Sequence, residues 1–178
     1  MGDRLTDPRT SGEAAGFLFA DLVGFTELTE RLGDEAAADL ALGFCDRVCQ
    51  LNRSHGAADV NTMGDGALIR IPDPVEAVRL AVCITREIGP ERGFPLVRVG
   101  LDHGPAVSRR GDWFGATINT ASRIVSLADA GEVLITSRAR TAAGETGHGI
   151  DFEDSGLRQL RHITDPVRLY RASPHRAA

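Results

Sequence analysis

Twice along this chain an apolar strand signal runs into an aspartate at a tight turn, and these two places constrain the fold more than any other feature. Residues 16–23 are an apolar run that reads as a buried strand ending at Asp21, after which Gly24 turns the chain into a helix beginning near Phe25. Residues 57–62 and 67–71 flank Met63-Gly64-Asp65-Gly66, which predicts a hairpin with Asp65 at its tip. Between the two, Ala37, Leu40, Ala41, Phe44, Val48 and Leu51 make one helical stripe suited to packing on a sheet. After the hairpin, Asp73-Pro74-Val75-Glu76 supplies an N-cap, a first-turn proline and a capping carboxylate for a second helix, with its stripe at Ala77, Leu80, Ala81, Ile84 and Ile88. Val97, Val99 and Leu101 alternate as in a strand, residues 133–137 repeat the strand signal after Gly131, and residues 167–172 are expected to close the sheet. The order strand, helix, hairpin, helix, strand is the split βαβ pattern of ferredoxin-like, palm-type sheets, with a further helix and strands appended, so the expected class is α+β.

A chain of 178 residues that is 42% apolar can bury a proper core as one soluble domain and has no room for a second. Nothing approaches the ~18 consecutive apolar residues of a membrane span. The net charge of -5 argues against a general nucleic-acid binder but leaves small polyanions open, because local cations could hold them. Cys45, Cys49 and Cys83 are odd in number and no secretory signal precedes them, which points to reduced thiols and a cytoplasmic setting. Cys45 and Cys49 share a helix face, but no second pair completes a zinc site, so they read as core residues. Residues 1–15 are polar and rich in breakers and read as a flexible lead, residues 16–172 as the domain, and residues 173–178 as a flexible tail. Met1, Gly2 and Thr6 fit an N-myristoylation pattern too short to carry weight. The five histidines are scattered without metal-ligand spacing.

Paired carboxylates on tight backbone are what Mg²⁺ or Mn²⁺ requires, since these hard ions take oxygen ligands and commonly hold a nucleotide through its phosphates. A second segment adds to this: residues 114–125 have helical periodicity and place Asn119 and Arg123 four residues apart, on one face. Such a pair can hydrogen-bond and neutralise a phosphoryl group in transfer.

Taken in order, Phe19-Ala-Asp-Leu-Val-Gly-Phe-Thr26, Asn61-Thr-Met-Gly-Asp-Gly66, residues 100–125 and residues 131–137 resemble the catalytic domain of class III nucleotide cyclases. The similarity runs from about Gly16 to Ala172. The resemblance implies that Asp21, Leu22 and Asp65 surround two metal ions, Mg²⁺ or Mn²⁺. It further implies that Val23, Gly24, Phe25 and Thr26, with Leu22, present backbone N–H groups to the phosphates at a helix start. Asn119 would orient the ribose and Arg123 would stabilise the pentavalent phosphorus, both supplied by the partner chain of a head-to-tail homodimer. Trp113 and Phe114, beside a short segment from Ala106, are candidates for that interface.

Base selection departs from the commonest pattern of adenylyl cyclases, which carry Lys four residues before the second metal aspartate and Asp seven before the Asn. Here those positions hold Asn61 and Asp112. Asp112 can accept from the adenine N6 amine, whereas Asn61 can donate to adenine N1 or, with its amide turned, accept from guanine N1–H. The expected activity is adenylyl cyclase, ATP to cyclic AMP and pyrophosphate; relaxed ATP/GTP selectivity and a silent regulatory or dimerisation domain are the alternatives. Arg158 and Arg161 form a late basic segment that reads as solvated. Domains of this kind are commonly fused to sensor domains, none of which is visible here.

Overall fold

A computed structural model describes residues 12–144 and 149–175. The N-terminal lead as far as residue 11, with its acylation pattern, and the tail from residue 176 lie outside the described residues, as does His148.

Among the described residues nine strands and five α-helices follow in the order β1 (Ala15–Leu22), α1 (Phe25–Leu32), α2 (Asp34–His55), β2 (Asp59–Met63), β3 (Gly66–Ile71), α3 (Pro74–Glu87), β4 (Val97–Gly104), β5 (Val107–Arg109), β6 (Asp112–Phe114), α4 (Ala116–Val125), β7 (Val133–Thr136), α5 (Ser137–Ala143), β8 (Ile150–Arg158) and β9 (Val167–Pro174). The main sheet is ordered β2-β3-β1-β4-β7-β9-β8. Its first four strands are antiparallel, in the arrangement of a split βαβ sheet, and β7 joins β4 in parallel. The α+β reading therefore holds.

The period of two along β1 decides which helix covers which face. Leu18, Ala20 and Leu22 join Val97, Val99 and Leu101 in the large core, closed by Phe44 and Val48 of α2, Leu80 and Ile84 of α3, and Ala139 of α5. Ala15 and Phe17 turn the other way, toward Leu68, Ala106 and Ile118, with Phe19 and Trp113 packed alongside. That second face carries α4 and the small β5–β6 ribbon and is only partly covered. Helix α4 lies so close to β4 that a Cβ on Gly100 would come within 2.4 Å of the Val125 amide nitrogen, so only glycine permits the approach.

Helix α3 starts as its sequence requires, with the Asp73 side chain accepting from the N–H groups of Val75 and Glu76 and Pro74 in the first turn. Glu76 does not complete a capping box. Its carboxylate is taken by His55 Nδ1 at 2.9 Å and Arg79 Nη1 at 2.6 Å, partners that outcompete a neutral backbone N–H. Ile88 is buried but lies just past the helix, as its C-cap. The sheet is closed by β8 rather than by residues 167–172, because β9 pairs on both sides, with β7 and β8. Strand pairing also draws in Ala15, Ser173 and Pro174, three residues assigned from sequence to the flanking segments. The three cysteines are free thiols, and burial pushes those of Cys45 and Cys83 up.

Candidate active site

Strand register assembles the site. Asp21 lies directly opposite Gly66 on β3 and Arg98 on β4. Two residues back along β1, Phe19 faces Leu68, which in turn faces Asn61 on β2. Residues two apart on a strand share a face, so the rows of Asp21 and Asn61 lie on the same side of the sheet, roughly 7 Å apart along the strands. This is the partly covered side.

Asp65 occupies the β2–β3 turn, and its carbonyl accepts the Leu22 N–H at 3.1 Å, which ties the hairpin tip to the end of β1. Burial pushes the Asp65 carboxyl up, and the nearby Asp21 charge adds to the shift, while its own backbone and Arg98 hold it down. Two half-buried carboxylates that crowd each other in this way form a donor set that gains from a cation. Among the described residues no three His, Cys, Asp or Glu side chains gather for a metal. The protein thus offers two carboxylates and backbone carbonyls, with Leu22 able to contribute only through its carbonyl because its hydrocarbon side chain has no donor atom. That fits Mg²⁺ or Mn²⁺, which complete their shells with phosphate oxygens and water.

Sequence reasoning missed Arg98. Its Nε and Nη2 both donate to Asp21 Oδ2, at 2.8 and 2.6 Å. The residue stands in an alternating strand, and only the register of β4 against β1, across 77 positions of sequence, brings it to the aspartate.

At the start of α1, where the anion site is expected, some of the backbone N–H groups already have protein partners. The Leu22 and Val23 N–H groups are taken by the carbonyls of Asp65 and Leu96, at 3.1 and 2.9 Å, because the chain is still strand-like there. These two N–H groups therefore do not serve phosphates. Gly24, at φ 72°, occupies the N-cap position but has no side chain to accept a hydrogen bond, and its carbonyl accepts the Leu28 N–H at 3.0 Å. The amides of Phe25 and Thr26 fall in this uncapped turn, at the positive end of the helix dipole.

Asn61 and Asp112 meet in one groove. A cavity of about 580 Å³ is lined by Asn61, Asp112, Phe19, Trp113, Phe114 and Ile118 among others. The β5–β6 ribbon that carries Asp112 is pinned there by Trp113, whose ring lies 5.5 Å from that of Phe17 and 4.7 Å from the Arg70 guanidinium. Asn61 Nδ2 donates to Gly111 O at 3.4 Å, which commits one of its two amide hydrogens to the ribbon.

Helix α4 buries Thr117, Ile118, Ala121, Ile124 and Val125 against the sheet and leaves Asn119 and Arg123 exposed together. Neither of these side chains is held by an ion pair or hydrogen bond among the described residues. Arg158 ends β8 at the sheet edge opposite the hairpin, with Arg161 just beyond it, both exposed and far from this site within one chain.

The domain is thus a mixed sheet with two carboxylates at one strand end and an open groove beside them on the same face. The chain matches the family model for the adenylate and guanylate cyclase catalytic domain over residues 8–165, and it belongs to that family. It is 37% identical over 158 residues to a pH-sensitive adenylate cyclase of Mycobacterium tuberculosis, covering 86% of this chain and 39% of that protein. It is 32% identical over 151 residues to an adenylate cyclase of Streptomyces griseus, covering 85% of this chain and 38% of that one. The chain therefore spans well under half the length of these relatives. Its fold matches the crystal structure of the adenylyl cyclase CyaB from P. aeruginosa with a TM-score of 0.79 at 24% identity, covering 92% of this chain and 95% of that one. It also matches the GTP-bound guanylate cyclase domain of RhGC from Catenaria anguillulae, with a TM-score of 0.78 at 20% identity, covering 92% and 98%. No helix among the described residues is long and apolar enough to cross a membrane.

Proposed function

We propose that this domain is an adenylyl cyclase that converts ATP to cyclic AMP and pyrophosphate at composite sites in a head-to-tail homodimer. The observation that carries the reading is the groove in which Asn61 and Asp112 stand together on the sheet face that also bears Asp21. Asp112 accepts from the adenine N6 amine, and the Asn61 hydrogen not committed to Gly111 donates to adenine N1. Asp21, Asp65 and the Leu22 carbonyl would hold the metals. Bound there, two divalent cations would activate the ribose 3′ oxygen and stabilise the leaving pyrophosphate. The uncapped N–H groups of Phe25 and Thr26 receive phosphate oxygens. Asn119 orients the ribose and Arg123 neutralises charge building on the α-phosphorus. Their exposure on α4, without a partner among the described residues, suits delivery to the metal site of a second chain. The exposed Met63 and Phe114 provide apolar surface beside the groove for that contact.

A reading with relaxed base selection is favoured by one observation: Asn61 keeps an acceptor oxygen and a single uncommitted hydrogen, so it can also meet guanine N1–H. Purified protein incubated with ATP or GTP, in Mg²⁺ or Mn²⁺, and resolved by chromatography separates the cases. Cyclic AMP that disappears with Asp65→Ala supports the proposal, comparable cyclic GMP supports relaxed selection, and no product at concentrations that favour a dimer points to a silent regulatory domain.

A further inference from the structure

Arg98 faces Asp21 across the β1–β4 ladder, and two of its nitrogens converge on one carboxylate oxygen. The side chains are only 30% and 26% exposed, so water screens the pair less than it would a surface ion pair. A divalent cation needs the lone pairs of the same carboxylate. If it took the other oxygen it would sit beside a guanidinium of like charge, and if it took Oδ2 it would have to break both hydrogen bonds. With Arg98 in place the cluster of Asp21, Asp65 and Arg98 has one formal negative charge, not two, which weakens its attraction for a cation.

Resting on the metal-site reading above, we infer that Arg98 is a built-in counter-ion that competes with the metal for Asp21. It makes the free protein a weak metal binder. This role differs from that of a structural support for Asp21, because removing a support weakens metal binding whereas removing a competitor strengthens it.

The test is a Mn²⁺ titration of the full chain without nucleotide, with free Mn²⁺ read by electron paramagnetic resonance, on the wild type, Arg98→Gln, Arg98→Lys and Asp65→Ala. Arg98→Gln is expected to bind Mn²⁺ about tenfold more tightly than the wild type. Arg98→Lys keeps the charge but loses the fork, and a smaller tightening is expected. Unchanged or weaker binding by Arg98→Gln, with circular dichroism and urea unfolding like those of the wild type, overturns the inference. Should the Gln variant fail to fold, the Lys variant decides in the same way, with equal or weaker affinity counting against the competitor role. Mn²⁺ binding that survives in Asp65→Ala, or that appears in no variant, instead removes the metal-site reading, and the inference falls with it.

Discussion

Arg123 and Asn61 make the sharpest demands at the level of single residues. Arg123 stands exposed on α4 with no protein partner among the described residues, so its loss should leave folding intact while removing a preorganised positive charge from the reaction. Arg123→Ala should lower kcat by about 10²–10³ with the urea midpoint unchanged; a fall below tenfold would demote it to a solvated surface residue. Asn61 is a different case, because its amide both lines the groove and ties β2 to Gly111. Asn61→Lys puts a donor without acceptor capacity at that position, which matches adenine N1 and opposes guanine N1–H. By analogy with base contacts in nucleic-acid grooves, one good pair contributes about 1–3 kcal/mol of discrimination, so the ATP to GTP ratio of kcat/KM should rise about tenfold. An unchanged ratio would mean that position 61 touches no base and that its bond to Gly111 is its whole contribution.

Among the elements, β4 links the site to the helical layer through Asp102, which is fully buried and accepts from Thr136 Oγ1 at 2.6 Å and from the His103 N–H at 2.8 Å. Arg138, in the first turn of α5, completes the set as its ion-pair partner. Burial pushes the Asp102 carboxyl up by more than these partners hold it down. A carboxyl whose pKa is higher folded than unfolded keeps its proton longer in the folded state. Its contribution to stability is therefore full below the ordinary carboxylate range and is lost as pH rises through the folded pKa. Asp102→Asn has no such proton, so the stability of the wild type relative to the variant should fall with rising pH and then level off, as read by urea unfolding from about pH 4 to about pH 8. A difference that grows with pH would show that the ion pair and hydrogen bonds outweigh desolvation. None of this cluster was visible in the sequence, and the reason is general to what was missed. β1, the β2–β3 hairpin, the α2 stripe and the Asp73 cap were legible because period, turn residues and caps are local signals. Strands β5 and β6 have only three residues each, too few to show alternation, and α5 has seven, mostly small or polar, with no stripe. Arg98 and Asp102 acquire their meaning from partners 77 and 34 positions away, set by strand order. The aspartates of the site could be placed from their turns, whereas their charged neighbours could not.

For the whole molecule, the composite-site reading divides the chemistry between two surfaces of one chain: the strand ends with Asp21 and Asp65, and the exposed face of α4 with Asn119 and Arg123. A head-to-tail pair joins each surface to its complement twice, and a closed two-fold dimer then has two equivalent sites. The division can be tested by genetics on the assembled protein, because inactivating changes on different surfaces complement and changes on the same surface do not. In a dimer of Asp21→Ala with Arg123→Ala, one site collects both lesions and the other collects none. With random pairing half of the dimers are mixed, each with one intact site, so coexpression should restore roughly a quarter of wild-type activity. Asp21→Ala with Asp65→Ala should restore nothing, since both carboxylates belong to the same surface and every site keeps a lesion. Failure of the first pair to recover, while size-exclusion chromatography shows mixed dimers, would mean that each chain completes its own site. In that case the exposed α4 face would need another explanation, and activity should persist on dilution to the monomer. Recovery by the first pair alone would instead make activity depend on protein concentration, with the association of two chains acting as the switch that assembles the site.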